Sequence, residues 1–436
     1  MAHPSSTRRT TQPRRARPAR TLTRLAGALL ATIALAATAT TAAADEPTTP
    51  PGTAGATTVT GVEEATRPAF YEPPAAIPAT PGAIIREQRA TRMLDPLDVT
   101  SATVDSRLVM YTSTDRTGAP IAVTGTVFIP KSRWVGLSSR PVIAYAPGTQ
   151  GMADRCAPSR SLAESISYEH ALIEGLLARG YAVAMTDYQG LGTPGSHTYM
   201  NRIVQGRAVL DMARAAKQLP GLNSRSPVGL MGYSQGGGAA ASAVELASSY
   251  APDLSVRGSV VGSVPADLAA VGAALDGSLW ASFNMYALVG MSAGYGYDLE
   301  ELLNDRGLQL ARQAENSCFL ELTPFVKSET LSTDGRPVQE MLNTEPFASI
   351  LADNRIGTIR PTGPVLVNHS VLDDTIPYAV GRQLAKDWCG KGGNVRFSTN
   401  VAPLHVGGMA PNLIESFAFF EARFAGLPQL NSCWRL

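Results

Sequence analysis

The sequence has few of the residues on which metal, redox and nucleic-acid chemistry depend. Its 436 residues include only four cysteines and five histidines. They show no metal-ligand spacing and no H-E-x-x-H motif, so we expect no metal and no cofactor. Charged residues make up 17% of the chain, and 37 basic residues balance 36 acidic ones. A chain without a broad basic surface cannot release the counterions of a polyanion, so nucleic acid is excluded as a partner.

The N-terminal apolar run is too short for a membrane span, which takes about 20 residues. It covers residues 25–37, is diluted by threonine, follows the arginines between Arg8 and Arg24, and precedes three alanines that end at Ala44. This pattern is typical of a signal peptide, and a retained anchor is the alternative. We therefore predict a signal peptide over residues 1–44 and a secreted, extracellular protein.

The four cysteines are even in number, which suits disulfide bonds in an oxidising compartment. They are Cys156, Cys318, Cys389 and Cys433. Four cysteines allow three pairings, and the residues alone do not choose among them.

Alternating strands and helices follow a Pro/Thr/Ala-rich segment that we interpret as a linker over residues 45–81. Residues 104–112 and 121–129 flank a turn sequence and predict a β-hairpin. Further strands are predicted at 141–146, 181–187, 227–231, 256–264, 364–368 and 394–401, and helices at 162–179, 201–219, 235–250 and 412–424. This alternation predicts an α/β fold with a mostly parallel central sheet covered by helices on both faces.

Residues 265–361 break this alternation and predict a mostly helical cap inserted after the sixth strand. The cap contains an apolar run at 279–291 and a helical pattern at 299–313. The apolar run has two interpretations, a channel for an acyl chain and the cap's own core. The predicted organisation is a linker and N-terminal arm at 45–95, a core at 96–265, a cap at 266–360 and a second part of the core at 361–436.

A G-x-S-x-G motif centres on Ser234, between a predicted strand and an alanine-rich helix without proline. This context is that of a nucleophile elbow, in which the serine occupies a strained strand-to-helix turn. A second match centres on Ser292 but follows a run that looks helical. Ser234 is therefore the predicted nucleophile, with Ser292 as the alternative.

A serine nucleophile needs a histidine base and a carboxylate that orients it, and in this fold the chain order is serine, acid, histidine. His405, on a glycine-containing loop after the last predicted strand, is the predicted base. Asp373 is the predicted acid, and Asp374 is expected to cap the following turn or helix, although the two could exchange roles. His369 is interpreted as a polar group satisfied at the sheet edge.

The oxyanion of an acyl-transfer intermediate requires two backbone N–H donors. One is expected from Gln235, the residue after the nucleophile. The other is expected from the loop at 147–151, where the amide of Thr149 or Gln150 would serve.

Together these residues resemble the secretory lipases of the yeast lipase A type, which have the α/β-hydrolase fold. The resemblance rests on the glycine-rich motif at 232–237, the sequence CAPS at 156–159, Asp373 with Ile376 and Pro377, and His405. It covers most of the chain from about Ile84. It implies a triad of Ser234, Asp373 and His405, a cap that forms an acyl tunnel, and bridges Cys156–Cys318 and Cys389–Cys433. This sequence departs from the family at 147–151, where the family carries an acidic residue.

The resemblance also implies hydrolysis of triacylglycerols or similar carboxylic esters. The alternatives are a short-chain carboxylesterase or an acyltransferase on the same scaffold and, more remotely, a noncatalytic binding protein. The expected partners are a lipid or other ester substrate and, transiently, a lipid interface. We expect the chain to act as a monomer.

Overall fold

The computed structural model describes residues 67–90, 102–136, 138–164, 169–319, 321 and 324–436. The predicted signal peptide and the first part of the predicted linker lie outside these residues. Every described residue belongs to one compact unit, Ala65–Leu436.

A single sheet forms the centre of this unit. Its strands are β1 Ile84–Arg89, β2 Val104–Thr114, β3 Pro120–Pro130, β4 Val142–Ala146, β5 Ala182–Thr186, β6 Val228–Tyr233, β7 Val256–Gly262, β8 Pro364–Ser370 and β9 Asn394–Asn400. Their order in the sheet is β1-β2-β3-β5-β4-β6-β7-β8-β9. Pairing is antiparallel from β1 to β5 and parallel from β5 to β9. The central strands β4, β5 and β6 are entirely buried, as parallel strands covered on both faces are.

Helices cover both faces of the sheet. They are α1 Pro158–Glu164, α2 Glu169–Leu177, α3 Arg202–Ala216, α4 Gln235–Tyr250, α5 Leu268–Leu275, α6 Ser282–Tyr295, α7 Asp305–Glu315, α8 Val338–Leu342, α9 Phe347–Asn354, α10 Tyr378–Gly390, α11 Leu404–Gly407 and α12 Met409–Phe424. Helices α3, α4 and α10 share one apolar core with the sheet. On the opposite face, Phe420 of α12 packs against Gly229 of β6. No helix in the described part of the chain is long and apolar enough to cross a membrane.

The sequence prediction missed the strand β1 and extended the linker too far. The sequence of β1, IIREQR, has neither alternation nor sustained hydrophobicity, and it pairs through its backbone with β2 at the edge of the sheet. The cap therefore follows the seventh strand, not the sixth. The predicted linker is wrong for residues 67–81, because Arg67 binds Asp154 at 2.6 Å and the buried Tyr71 hydrogen-bonds Ser159 at 2.8 Å.

Two predicted helices also differ in the structure. The one predicted at 162–179 consists of α1 and α2, with residues 165–168 outside the described part. The one predicted at 299–313 is interrupted, because a 3₁₀ turn at Leu299–Glu301 precedes α7. The side chain of Asn304 accepts a hydrogen bond from the N–H of Gly307, so it caps α7 and fixes its start.

Helices α5 to α9 lie between β7 and β8 and form the cap. A cavity of about 140 Å³ opens among them, and its wall is mostly apolar. Several residues of the apolar run line it, including Met285, Leu288 and Met291. Met285 and Met291 are buried as well. The run therefore supplies both the core of the cap and the wall of a cavity.

Two disulfides join distant parts of the chain. Cys156 is bonded to Cys318 and Cys389 to Cys433. This is the pairing that the resemblance implied. The first bond fixes the cap to the segment that follows β4, and the second fixes the end of α10 to the C-terminal turn.

Candidate active site

Ser234 lies in the turn between β6 and α4, in a backbone conformation that few side chains adopt. Its φ is 60° and its ψ is −124°. A Cβ at Gly232 would lie 2.0 Å from the carbonyl oxygen of Gly236, and a Cβ at Gly236 would lie 2.0 Å from that of Ala146. Only glycine fits at either flanking position, so the motif permits a tight, strained turn that presents the serine.

Ser292, the alternative nucleophile, has a different environment. It lies inside α6, and its hydroxyl donates a hydrogen bond of 2.7 Å to the carbonyl of Tyr297. Its motif therefore belongs to a helix in the cap and not to a strand-to-helix turn.

Asp373 and His405 meet at the C-terminal ends of the parallel strands. Nδ1 of His405, in α11, is 2.9 Å from each carboxylate oxygen of Asp373, which follows β8. Nε2 of His405 has no hydrogen-bond partner among the described residues. A proton on Nδ1 is held by the carboxylate, so Nε2 is available to accept another.

Four donors surround the Asp373 carboxylate. Besides His405, they are the hydroxyl of Ser263 at 2.5 Å and the backbone N–H groups of Thr375 and Ile376 at 3.0 and 2.9 Å. Burial by itself would raise the pKa of Asp373, but the hydrogen bonds and the positive charge of His405 outweigh burial and lower the pKa to about 2. The carboxylate is therefore ionised at neutral pH.

Asp374 does not have the place that the sequence predicted for it. Its Oδ1 accepts a hydrogen bond of 2.7 Å from the backbone N–H of His405, so it caps α11, about 30 residues further along the chain. His369 also differs from its interpretation, because it lies on β8, inside the sheet. Its Nε2 is 3.0 Å from the carbonyl of Ile376, while Nδ1 has no partner among the described residues.

The predicted oxyanion loop lies against the elbow. Gly236 packs on the carbonyl groups of Ala146 and Pro147, so residues 147–151 begin beside α4. The N–H of Gly148 donates to Glu169 at 2.8 Å, and the side chain of Thr149 is hydrogen-bonded to Tyr199 at 2.7 Å. Gln235 begins α4, where backbone N–H groups have no partner inside the helix.

Sequence reasoning missed Glu169, whose side chain is hydrogen-bonded to this loop. Its carboxylate is buried, accepts the N–H of Gly148, and also accepts the hydroxyl of Tyr145 on β4. A single glutamate at the start of α2 belongs to no motif. Only the fold shows that it contacts the loop.

His197 is a second residue that sequence reasoning missed. The carbonyl of Gln189 lies 2.9 Å from Nδ1 of His197 and can only accept a hydrogen bond, so Nδ1 carries the proton. Nε2 then accepts from the side-chain amide of Gln235 at 3.0 Å. This buried histidine therefore orients the residue next to Ser234. Burial lowers the pKa of His197 to about 4.

We predict that His197 makes the protein less stable in weak acid. Its pKa is about 4 in the folded protein, against an ordinary value of 6.5. The stability that neutral His197 contributes is thus complete above about pH 6.5 and is lost as the pH falls towards 4. For a shift of this size the loss is about 3 kcal/mol. His197→Gln should lack this dependence, which urea unfolding at pH 7.0, 5.5 and 4.5 measures.

Asp187, whose pKa burial raises to about 6, gives the opposite dependence. The wild type and His197→Gln both contain Asp187, so the difference between their pH profiles is due to His197. Parallel pH profiles of the free energy of unfolding would contradict the prediction.

The known proteins to which this chain is similar include several lipases. A family model described as "Secretory lipase" matches residues 157–432. A probable inactive lipase of Mycobacterium tuberculosis is 29% identical over 379 residues, which are 82% of each chain. A secreted triacylglycerol lipase of Malassezia globosa is 26% identical, over 87% of this chain and 85% of its own. The crystal structure of Candida antarctica lipase A in its closed state superposes with a TM-score of 0.73 at 26% identity, covering 83% of this chain and 87% of the other.

Proposed function

The chain belongs to the secretory lipase family of α/β-hydrolases, and on this basis we propose that it is a secreted serine esterase that hydrolyses triacylglycerols or similar carboxylic esters. The observation that supports this most strongly is the Asp373–His405 pair, because the hydroxyl of Tyr233, directly before the strained turn at Ser234, donates a hydrogen bond of 2.6 Å to the carbonyl of His405. A noncatalytic relative typically lacks a member of such a set, and all three residues are present in this chain.

In the proposed mechanism, Nε2 of His405 takes the proton of the Ser234 hydroxyl as Oγ attacks the ester carbonyl carbon. The carbonyl oxygen becomes an oxyanion, which accepts hydrogen bonds from the N–H of Gln235 and from that of Thr149 or Gln150. His405 then gives its proton to the leaving alkoxide, and the alcohol departs from the acyl-enzyme. Water, activated by the same histidine, releases the carboxylic acid and regenerates Ser234. Asp373 stabilises the imidazolium in both steps.

We propose that the cap cavity binds acyl chains. Its wall is mostly apolar, and α6 supplies part of it. No residue that lines it belongs to the proposed triad or to residues 147–151. This separation favours one rival function, a short-chain carboxylesterase in which the cavity takes no part.

A series of 4-nitrophenyl esters from acetyl to palmitoyl, hydrolysed by residues 45–436, tests the proposal. If the cavity holds the chain, kcat/KM should rise with length, by up to about fourfold for each methylene that is fully buried. Leu288→Phe should lower kcat/KM for the palmitoyl ester at least about tenfold, because the larger side chain fills the cavity. It should leave kcat/KM for the acetyl ester unchanged. A thermal melt checks that the variant is folded. Activity confined to the shortest esters would instead indicate a carboxylesterase.

A noncatalytic role is the more distant rival, and the relative from Mycobacterium tuberculosis named as probably inactive gives it weight. Labelling with a serine-directed phosphonate separates the two. A stoichiometric adduct on Ser234 supports the enzyme, and an unreacted Ser234 in folded protein supports the binding role.

We also propose that the loops of the site touch the lipid surface transiently. Leu372 beside Asp373 and Leu404 beside His405 are 54% and 55% exposed. Large apolar side chains that are exposed together often mark a contact surface. Export through the predicted signal peptide and a monomeric state stay predictions.

A further inference from the structure

The carboxylate of Asp374 connects the cap to the short helix α11, which contains His405. One oxygen, Oδ1, accepts the backbone N–H of His405 at 2.7 Å. The other, Oδ2, accepts the indole N–H of Trp280 at 3.1 Å. Trp280 lies in the cap, between α5 and α6. One side chain therefore accepts a hydrogen bond from α11 and another from the cap.

The segment around His405 needs such support. Helix α11 has only four residues, and its N-cap, Pro403, makes no side-chain hydrogen bond to it. Leu404, the first residue of the helix, has a φ of 62°, which is unfavourable for a leucine. A short helix with a strained start and orphan N–H groups has little stability of its own. Asp374 therefore supplies an acceptor that the segment itself lacks.

Trp280 is held in turn by the aromatic side chains of the cap. Its ring stacks on Phe283 and Phe319 with centroids 5.6 and 6.2 Å apart. The backbone N–H of Phe319 donates to the carbonyl of Gln150 at 2.8 Å, in the proposed oxyanion loop. The stacked rings therefore extend from the oxyanion loop to Asp374.

We propose that Asp374 and Trp280 are positioning residues, and that the cap, through their hydrogen bond, holds His405 in the orientation in which it can take the proton of Ser234. This inference rests on the proposed function. Neither residue touches the reacting atoms. Asp374 accepts the backbone N–H of His405 and Trp280 acts through Asp374, whereas Asp373 contacts the ring of His405.

The alternative is that Trp280 only forms a wall against which the acyl chain of a bound ester packs. The two roles differ in what they change. A positioning role lowers kcat for every ester, because His405 serves the chemical step for all of them. A wall would change KM, and only for esters long enough to reach the cap.

Three variants separate these roles. Trp280→Phe removes the N–H and keeps a stacking ring, and Asp374→Ala removes the shared acceptor. The double variant completes a thermodynamic cycle. Trp434→Phe, at a tryptophan that is 82% exposed near the C-terminus, is the matched control.

In Trp280→Phe we expect kcat to fall about tenfold for the acetyl and the octanoyl ester alike, with KM unchanged; tenfold corresponds to the loss of about one hydrogen bond in the transition state. The double variant should be no slower than Asp374→Ala, because both changes break the same contact. Trp434→Phe should match the wild type. A KM effect on the longer ester alone, or additive losses in the double variant, would overturn the proposal.

Amide hydrogen exchange gives a readout that does not depend on catalysis. The peptide that contains residues 402–408 should exchange faster in Trp280→Phe and in Asp374→Ala than in the wild type, since the His405 N–H loses its fixed acceptor. If the wild type is inactive and Ser234 is not labelled, the proposed function fails, yet faster exchange still supports the contact. Unchanged exchange in both variants would show that the contact does not hold the segment around His405.

Discussion

Ser234→Ala is expected to lower kcat/KM for ester hydrolysis by about 10⁴- to 10⁶-fold, the scale on which serine hydrolases depend on their nucleophile. The hydroxyl is the only group on the elbow that can form the acyl-enzyme, and the alanine methyl has the same place in the turn. The elbow should remain folded, because its geometry is fixed by Gly232 and Gly236. Initial rates on a soluble 4-nitrophenyl ester measure the loss.

Ser292→Ala is the matched control, since it removes the serine of the other G-x-S-x-G motif. Its hydroxyl donates a hydrogen bond to the carbonyl of Tyr297 in the cap, so we expect rates within about twofold of the wild type. Retained activity in Ser234→Ala would refute the assigned nucleophile. The test is informative because one relative is named a probable inactive lipase, so family membership alone does not decide whether this chain is active.

Asp373→Asn should cost about 10³- to 10⁴-fold in kcat, with little change in KM. An asparagine amide can donate to Nδ1 of His405, which would place the imidazole proton on Nε2, where it can no longer accept one from serine. The native carboxylate has a pKa of about 2. It therefore stays ionised down to about pH 4, and protonation of Asp373 should not limit activity above that pH.

The pair Asp373→Asn and Asp374→Asn forms an internal comparison. Both remove one negative charge at neighbouring positions, but only Asp373 contacts the ring of His405. The expected loss at Asp374 is closer to tenfold, the cost of about one hydrogen bond. Equal losses in the two variants would mean that net charge, rather than contact with the ring, determines the rate. Thermal unfolding of both proteins checks for misfolding.

Most of the site could be predicted from the sequence, because each of the predicted residues lies in a recognisable local pattern. Ser234 is flanked by glycines between a strand and a helix. Asp373 and His405 follow late strands in the order that the fold requires, and the structure brings them to 2.9 Å. The parallel strands could be predicted from their apolar runs. Their catalytic roles stay predictions until the variants are measured.

The parts that the sequence did not provide depend on contacts between distant segments. Glu169 accepts a hydrogen bond from Gly148, which is 21 residues away in the sequence. His197 accepts one from Gln235, which is 38 residues away. Neither residue has a local pattern, because burial of a polar side chain depends on what the fold places beside it. The edge strand β1 was missed for a related reason, since backbone pairing and not hydrophobicity holds it in the sheet.

The sequence by itself determined the alternation of strands and helices, the position of the elbow and the order of the candidate catalytic residues, because these follow from local periodicity and from glycines at fixed spacing. Only the tertiary structure decided which aspartate contacts the ring of His405 and which contacts its backbone. Asp373 and Asp374 are adjacent and chemically identical, so no local rule distinguishes them. The distinction arises where the ends of β8 and β9 and the cap converge, through hydrogen bonds that span about 30 to 90 residues of chain.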